Sequence, residues 1–484
     1  MEMTSFQRVI VLGDPKLGKE VKDSLTNYGF DPTFVEIDLA EDGSKSLFKP
    51  LALKGGLGDF SLLMAGKTGY FEEKAAFVLI CLSPVYGRDP QTLEARMSFE
   101  EFLDYNLEGI KEIAVLDPSN GKVLPSVWGP VMDKLLSMDL TKTKVSVVAS
   151  QIKVAGDGLE RKYRMLREQG VVFYKPDEAS YVYEHGITIR FRDHILGKDI
   201  ELKPELLVTL DQPIIPQHYK SLFEILRIEI DGHSYPQDDN VLRFPYYTNR
   251  KGVFVVSPLP EFLSKESIGQ LISGICLEFK RLFHEMKNCS SKTTIEYNQS
   301  QCAYCLTCFR VCPHGAILFD SKPNFLPLAC EECGICVANC PGEALKLVQL
   351  KYDELLYNIK ESIQRGFTTA ILACKRNYGA IAELIGNSFD PSRKRPYVFE
   401  IPCAGYVNEN LLLRMAAMGG LEKITIVGCK EGNCRTSKGT LRGEMACGAV
   451  ERLLNSLRIE SPILAFFKLS SQDHIGLREL MGQV

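Results

Sequence analysis

CAYCLTCFRVCP, residues 302–313, returns as CEECGICVANCP, residues 330–341. In each copy the cysteines are separated by two, two and three residues, and proline follows the last. Three thiolates at that spacing wrap three corners of a four-iron cubane, while the fourth cysteine of each run reaches the other cluster. Spacing therefore assigns Cys302, Cys305, Cys308 and Cys340 to one 4Fe-4S cluster, and Cys330, Cys333, Cys336 and Cys312 to a second. Pro313 and Pro341 turn the chain away, and Gly315 and Gly334 allow tight passage of backbone around an inorganic core. A zinc ribbon needs two Cys pairs per ion, not two runs of four that each end in Cys-Pro. The stretch is expected to be a bacterial-type ferredoxin segment that moves single electrons.

The other cysteines lean toward the same end. Of 16 in 484 residues, only Cys81 and Cys276 precede residue 280, and Cys289 stands just ahead of the ferredoxin run. A secreted disulfide framework would be small and evenly stapled, whereas clustered cysteines point to metal ligation. At 484 residues the chain exceeds one hydrophobic core, and three domains are expected. With 45% hydrophobic and 24% charged residues and a formal net charge of −4, nothing in the composition favours nucleic acid or an anionic membrane. The N-terminus, MEMTSFQRVIVLG, lacks the basic and long apolar regions of a secretion signal. Apolar runs such as Ala75–Leu82 are strand-length, far short of a bilayer span. A cytoplasmic protein with no direct membrane insertion is expected, reaching the inner face of the membrane only through a partner.

Downstream, residues 351–484 alternate strands and helices, with strands at Thr368–Ala373, Tyr397–Ile401, Lys423–Val427 and Ile463–Phe467. Cys374, Cys403 and Cys429 stand at strand ends, and Cys434 lies in the turn that begins at Gly428 and includes Glu431 and Gly432. Strand ends on one edge of an open α/β sheet form a crevice where ligands bind. Spacing alone suits a 2Fe-2S cluster, a zinc site or buried free thiols. Lys375, Arg376, Lys430, Arg435 and Lys438 crowd these turns; they suit a reduced cluster, an acidic partner or a solvated face. FEIPCAGYVNENLLLR at 399–414 followed by ITIVGCKEGNC at 424–434 resembles the delta subunit of methyl-viologen-reducing hydrogenase. The resemblance spans about residues 368–480. It implies a 2Fe-2S cluster on Cys374, Cys403, Cys429 and Cys434. Asn377 departs from that family, which often has a cysteine there, and Cys447 is left as a non-ligand.

Upstream, Arg8–Leu12 is a buried strand, a Gly-containing turn leads to a helix from about Leu17 to Tyr28, and Thr33–Ile37 ends near Glu36 and Asp38. That β–α–β order is the Rossmann layout. A second unit starts at 144–149, followed by strands at His185–Arg192, Asp199–Lys203 and Leu206–Leu210. Gly252–Val256 and a long helix from about Lys265 to Met286 follow, and Asn288–Gln301 reads as a linker. YRMLREQGVVF at 163–173 and the stretch 185–210 resemble the heterodisulfide reductase A-like flavoprotein fold, a core shared with the B-type chain of quinone-interacting membrane-bound oxidoreductase. That resemblance implies an FAD fold over 1–290 with an inserted Rossmann-like unit at about 141–245. The ferredoxin domain is then 291–350 and the delta-like domain 351–484.

The phosphate-binding turn is degenerate. Gly13-Asp-Pro-Lys-Leu-Gly18 lacks the middle glycine of Gly-x-Gly-x-x-Gly, Pro15 has no N–H, and Asp14 puts negative charge where phosphate would lie. Val147–Gly156 has no such glycine set, and Ser257-Pro258 replaces the family's flavin-contacting pair. Glu36 matches a ribose-binding acid. Gly13, Gly18 and Glu36 are the cofactor-binding candidates if FAD is held at all; otherwise the fold serves as a docking scaffold.

The fold class expected is α/β: a degenerate FAD/NAD(P)-type Rossmann-like front half, a ferredoxin insert and an α/β C-terminal 2Fe-2S domain. With no evident nucleophile or paired carboxylates, and with His314 a filler position in its motif, a non-catalytic electron-transfer subunit is expected. The competing expectation is an FAD-containing, electron-bifurcating enzyme; an iron–sulfur sensor or scaffold is a third. The resemblance implies partners in a redox complex: a flavoprotein, heterodisulfide reductase B/C-like subunits, hydrogenase, formate dehydrogenase or a quinone-linked membrane subunit.

Overall fold

The computed structural model describes residues 7–37, 48–66, 69–83, 85–87, 97–119, 121, 123–156, 158–183, 187–210, 212–230, 235–236, 244–257, 265–288, 293–387, 396–430 and 433–483. Asp38, His185, Pro258, Cys289, Glu431 and Gly432 lie outside the described residues.

Arg8–Gly13 is buried on both faces because its residues are apolar on both: Val9, Ile10, Val11 and Leu12 are all sealed from solvent. It sits inside a parallel sheet whose order is Val253–Val256, Phe77–Cys81, Arg8–Gly13, Asp31–Glu36. Val9 and Val11 face the helices Pro15–Asn27 and Lys265–Asn288. Ile10 and Leu12 face the opposite layer, which includes helix Gln217–Leu226. An antiparallel meander of Phe48–Gly56, Asp59–Gly66 and Gly69–Ala75 completes that layer. Residues 1–140 are therefore not a plain strand–helix alternation.

The second parallel sheet runs Val172–Tyr174, Lys144–Val148, Glu112–Leu116, Leu206–Thr209, Met97–Ser98. Pairing thus starts at Met97, earlier than the unit of about 141–245 expected. Glu112–Leu116 is flanked on both sides by later strands of this sheet and cannot belong to the first. A three-stranded antiparallel sheet, Pro176–Tyr183, Ile187–Asp193 and Lys198–Leu202, covers the crossover back to Leu206.

The supposed linker before Cys302 contains a strand: Ile295–Tyr297 pairs with Leu345–Leu347 and closes the ferredoxin segment end to end. Beyond it, a parallel sheet orders Pro396–Ile401, Thr369–Cys374, Lys423–Cys429, Ile463–Leu469, with helices on both faces. Ile295, Val337, Leu345 and Leu347 of the ferredoxin segment share one continuous apolar core with Leu356, Tyr406, Leu412 and Ile426. Residue 350 divides the chain but not this core.

Candidate metal centres

The two cysteine runs bend alike. Tyr304 and Leu306 take left-handed backbone, as do Glu332 and Gly334 at the same places in the second run; Gly315 and Glu343 match three residues after each fourth cysteine. Such bends swing successive thiols inward rather than along a helix. The Ala316 N–H donates to Cys312 Sγ at 3.4 Å, and the Ala344 N–H donates to Cys340 Sγ at 3.3 Å.

Cys302, Cys305, Cys308 and Cys340, the set expected from spacing, line one cavity with Tyr297, Phe319 and Pro323. Cys305 is exposed, and the Thr307 hydroxyl, 3.2 Å from its sulfur, holds that thiol below its ordinary range. The other expected set is also drawn together. Burial raises the Cys336 thiol, and Cys333, Cys312 and Cys330, in that order, raise it further by charge; Cys308 of the first set adds the next contribution. Cys308 and Cys340 of the first set and Cys312 and Cys330 of the second all pack against the core that contains Cys336, so the two sets adjoin.

The third set gathers where parallel strands end, as the strand pattern predicts. Cys374 and Cys429 close neighbouring strands with their sulfurs 3.7 Å apart. Thr436 Oγ1 stands 3.2 Å from Cys403 Sγ and 3.3 Å from Cys434 Sγ. All four cysteines are buried. Hydrogen bonding from Cys403 and then Cys429 holds Cys434 far below the usual thiol range. Cys374, Cys429 and Cys434 cluster together, and the thiols are linked in the order Cys374, Cys429, Cys434, Cys403, a row by contact. Among the described residues no three Cys, His, Asp or Glu side chains converge around one point as a single ion requires. Gly439 keeps the row open, since a Cβ there would lie 2.4 Å from Cys403 Sγ. Cys447 is buried in the apolar core instead.

This row abuts the second ferredoxin set. Cys333 acts electrostatically on Cys403, and Gly334 is pressed against the Tyr406 ring, where a Cβ would come within 2.3 Å. Tyr352 donates to the Tyr406 carbonyl at 2.6 Å, and Arg442 donates to Asn339 Oδ1 at 2.9 Å. Most cations around the third-set turns are tied down rather than forming an open basic patch. Arg435 pairs with Glu331 at 2.5 Å, Lys430 with Asp473 at 2.6 Å, and Lys438 with Glu229 of the front half at 3.2 Å. Arg376 donates to the Asn433 carbonyl at 2.7 Å.

The front turn has a different chemistry. Asp14 Oδ1 accepts from the N–H groups of Lys16 at 3.0 Å and Leu17 at 2.9 Å, taking the helix N-terminal donors a pyrophosphate would use. Gly13 has φ +130°, and its Cβ would strike the Cys81 carbonyl; Gly18 has the Phe34 ring in the space of its Cβ. Both glycines are needed for strand and helix packing. Glu36 lies exposed at the end of its strand. These residues do not fit a bound dinucleotide pyrophosphate.

Three buried residues play parts that their local sequence does not state. Asn377 donates to the carbonyls of Gly428 at 2.9 Å and Leu469 at 3.1 Å, so it stitches strand ends together where the related family has a cysteine. His314 is no mere filler: it is buried with Nδ1 2.8 Å from the Asn249 carbonyl. Arg250 is buried among front-half carbonyls. Only the three-dimensional approach of segments far apart in sequence reveals the last two.

Residues 370–484 match the family model of the methyl-viologen-reducing hydrogenase delta subunit, and residues 294–344 that of the 4Fe-4S dicluster domain. No curated protein matches the chain. Among solved structures, T. acidophilum thioredoxin reductase is similar over 58% of this chain and 99% of its own, at 10% identity and a TM-score of 0.37. An FAD-dependent pyridine nucleotide-disulphide oxidoreductase from Desulfovibrio vulgaris is similar over 57% and 71%, at 12% identity and a TM-score of 0.34. The chain joins a 4Fe-4S dicluster domain to a C-terminal domain of the methyl-viologen-reducing hydrogenase delta subunit family.

Proposed function

We propose that this chain is the electron-transfer subunit of a multi-subunit oxidoreductase complex of heterodisulfide reductase type, holding two 4Fe-4S clusters and one 2Fe-2S cluster. The observation that carries this is the adjacency of three thiol sets: Cys302/305/308/340 and Cys312/330/333/336 share packing around Cys336, and the latter set meets Cys374/403/429/434 where Gly334 packs on Tyr406 and Gly405 on Ile335. Such clusters supply one-electron chemistry. The residues do the rest. Exposed Cys305 opens the first set to a partner's redox centre, the second set is half-buried apart from Cys336, and the third set is buried throughout. The thiol row supports a 2Fe-2S cluster, which spreads its sulfurs over two irons.

We read the chain in three parts: 1–290 as a Rossmann-like scaffold, 291–350 as the ferredoxin part and 351–484 as the delta-like part. The partners proposed are other redox subunits: a flavoprotein, heterodisulfide reductase B/C-like subunits, hydrogenase, formate dehydrogenase or a quinone-linked membrane subunit. Among the described residues no helix is long and apolar enough to cross a membrane.

Iron and acid-labile sulfide analysis of anaerobically purified protein tests the cofactor content. About ten irons per chain are expected from four, four and two. About eight irons, with zinc in place of the remainder, would overturn the 2Fe-2S assignment. Purification from native extract under anaerobiosis should bring redox subunits with it; a chain that comes alone and reduces a substrate unaided would overturn the subunit reading.

A further inference from the structure

The front half sends one side chain toward the cysteines that its own fold does not explain. Arg250 is 3% exposed. Its Nη1 donates to the Leu226 carbonyl at 2.9 Å and its Nη2 to the Gly55 carbonyl at 2.8 Å; its Nε has no partner. Among the described residues no carboxylate pairs with it. A guanidinium stays ionised at any ordinary pH, and an uncompensated buried charge costs several kcal/mol. The two carbonyls and the Phe60 ring, 5.3 Å from the guanidinium carbon, compensate it in part, and a nearby countercharge would complete this.

The turn that follows Cys312 supplies its location. Gly315 packs against the guanidinium so closely that a Cβ would lie 2.9 Å from Arg250 Nε. Asn249, the preceding residue, donates to the Pro313 carbonyl at 2.6 Å and takes the His314 ring on its own carbonyl. These contacts fix Arg250 against the Cys312-Pro-His-Gly turn, near enough for the Cys312 charge to act on it. Arg227, exposed and stacked over the Phe309 ring at 4.0 Å, faces the same sulfur. The nearby carboxylates do not cancel a cation sealed from water. Of the carboxylates lining the same cavity, Glu331 is paired with Arg435, and Glu278 and Glu285 are paired with Arg281.

We propose that Arg250 is the buried countercharge of the Cys312, Cys330, Cys333 and Cys336 set and makes a cluster held there easier to reduce. One-electron reduction adds one negative charge to the site, and a fixed cation in low dielectric stabilises the reduced form more than the oxidised form. The degenerate front half would then act on the ferredoxin electrostatically, through a residue that touches no substrate. This inference rests on the cluster assignment above.

The test is a potentiometric titration of the intact protein followed by electron paramagnetic resonance, for wild type, Arg250→Met and Arg250→Lys. In R250M one 4Fe-4S signal should move to more negative potential while the other stays. R250K, which keeps the charge, should stay close to wild type. Unmoved potentials in R250M would overturn the inference, as would an R250K shift equal to that of R250M, which would mean packing rather than charge. If R250M does not accumulate, Arg227→Met takes its place: the same signal should move the same way by less, and no movement would overturn the proposal. A wild-type protein without two 4Fe-4S signals would remove the cluster reading itself, a result distinct from all of these.

Discussion

The sulfurs of Cys374 and Cys429 stand 3.7 Å apart at the carboxyl ends of two neighbouring parallel strands, Thr369–Cys374 and Lys423–Cys429. Parallel pairing fixes both ends at one edge, so two residues 55 apart in sequence arrive side by side. Cys429→Ser is expected to abolish the 2Fe-2S electron paramagnetic resonance signal and lower iron by about two per chain while both 4Fe-4S signals remain. Persistence of all three signals would remove Cys429 from the ligand set.

Thr436 joins the other two thiols, with its hydroxyl 3.2 Å from Cys403 and 3.3 Å from Cys434. A hydroxyl donated to thiolate sulfur favours the reduced cluster, and hydrogen bonds to charged groups contribute about 1.5–3 kcal/mol. Thr436→Val should therefore lower the 2Fe-2S potential, with roughly 130 mV as the ceiling reached if the whole bond formed only on reduction, since about 59 mV is tenfold for one electron. Thr436→Ser should restore most of it. Equal potentials in all three proteins would show that the hydroxyl points elsewhere when iron is bound.

Gly439 opens the helix Gly439–Ser456, where alanine would ordinarily stabilise by about 1 kcal/mol. Here an added Cβ would lie 2.4 Å from Cys403 Sγ and 2.2 Å from Thr436 Oγ1. Overlap of that size outweighs propensity. Gly439→Ala should lose the 2Fe-2S signal selectively, with ferredoxin iron retained. A variant with full iron content and a higher melting temperature would show that the row of thiols can widen to admit a methyl group.

The ferredoxin sets were legible because their spacing is local: each run contributes three ligands within seven residues, and only the fourth crosses over. The third set was half legible. Strand ends announced Cys374, Cys403 and Cys429, but no local pattern distinguishes a thiol row from a tetrahedron. Thr436 and Arg250 were invisible as parts of the site, and Asn377 showed only as a departure from the related family's cysteine, since each acts by reaching backbone or sulfur from a distant segment. In the front half the buried run Arg8–Leu12 marked its strand, while the meander at 48–75 and the early start at Met97 depend on pairings that alternation alone cannot choose.

Asp14 offers a check on the front turn. Its carboxylate caps the helix Pro15–Asn27 through Lys16 and Leu17 N–H groups. Losing such a cap costs about 1 kcal/mol. Asp14→Ala is expected to lower the melting temperature by a few degrees, with iron content and all cluster signals unchanged. Should the substitution instead confer bound FAD, detected as flavin released by acid, the carboxylate would be the one obstacle to a dinucleotide there.

Tyr406 tests whether the ferredoxin and delta-like parts stand or fall together. Its ring is fully buried against Gly334, its hydroxyl donates to the Leu350 carbonyl at 2.8 Å, and its own carbonyl accepts from Tyr352 at 2.6 Å. The ring thus packs on the turn that carries Cys333, inside the core that both parts share. Truncating a buried aromatic costs about 3–5 kcal/mol, and the orphaned Leu350 carbonyl adds to that. Tyr406→Ala should weaken retention of iron at the second and third thiol sets together, while Tyr406→Phe, which keeps the ring, should lose only about 1 kcal/mol. Chelator challenge followed over time measures this: both sets should release iron in one accelerated phase in Y406A. Release from the third set alone, with the second as slow as in wild type, would mean that the shared core does not couple them.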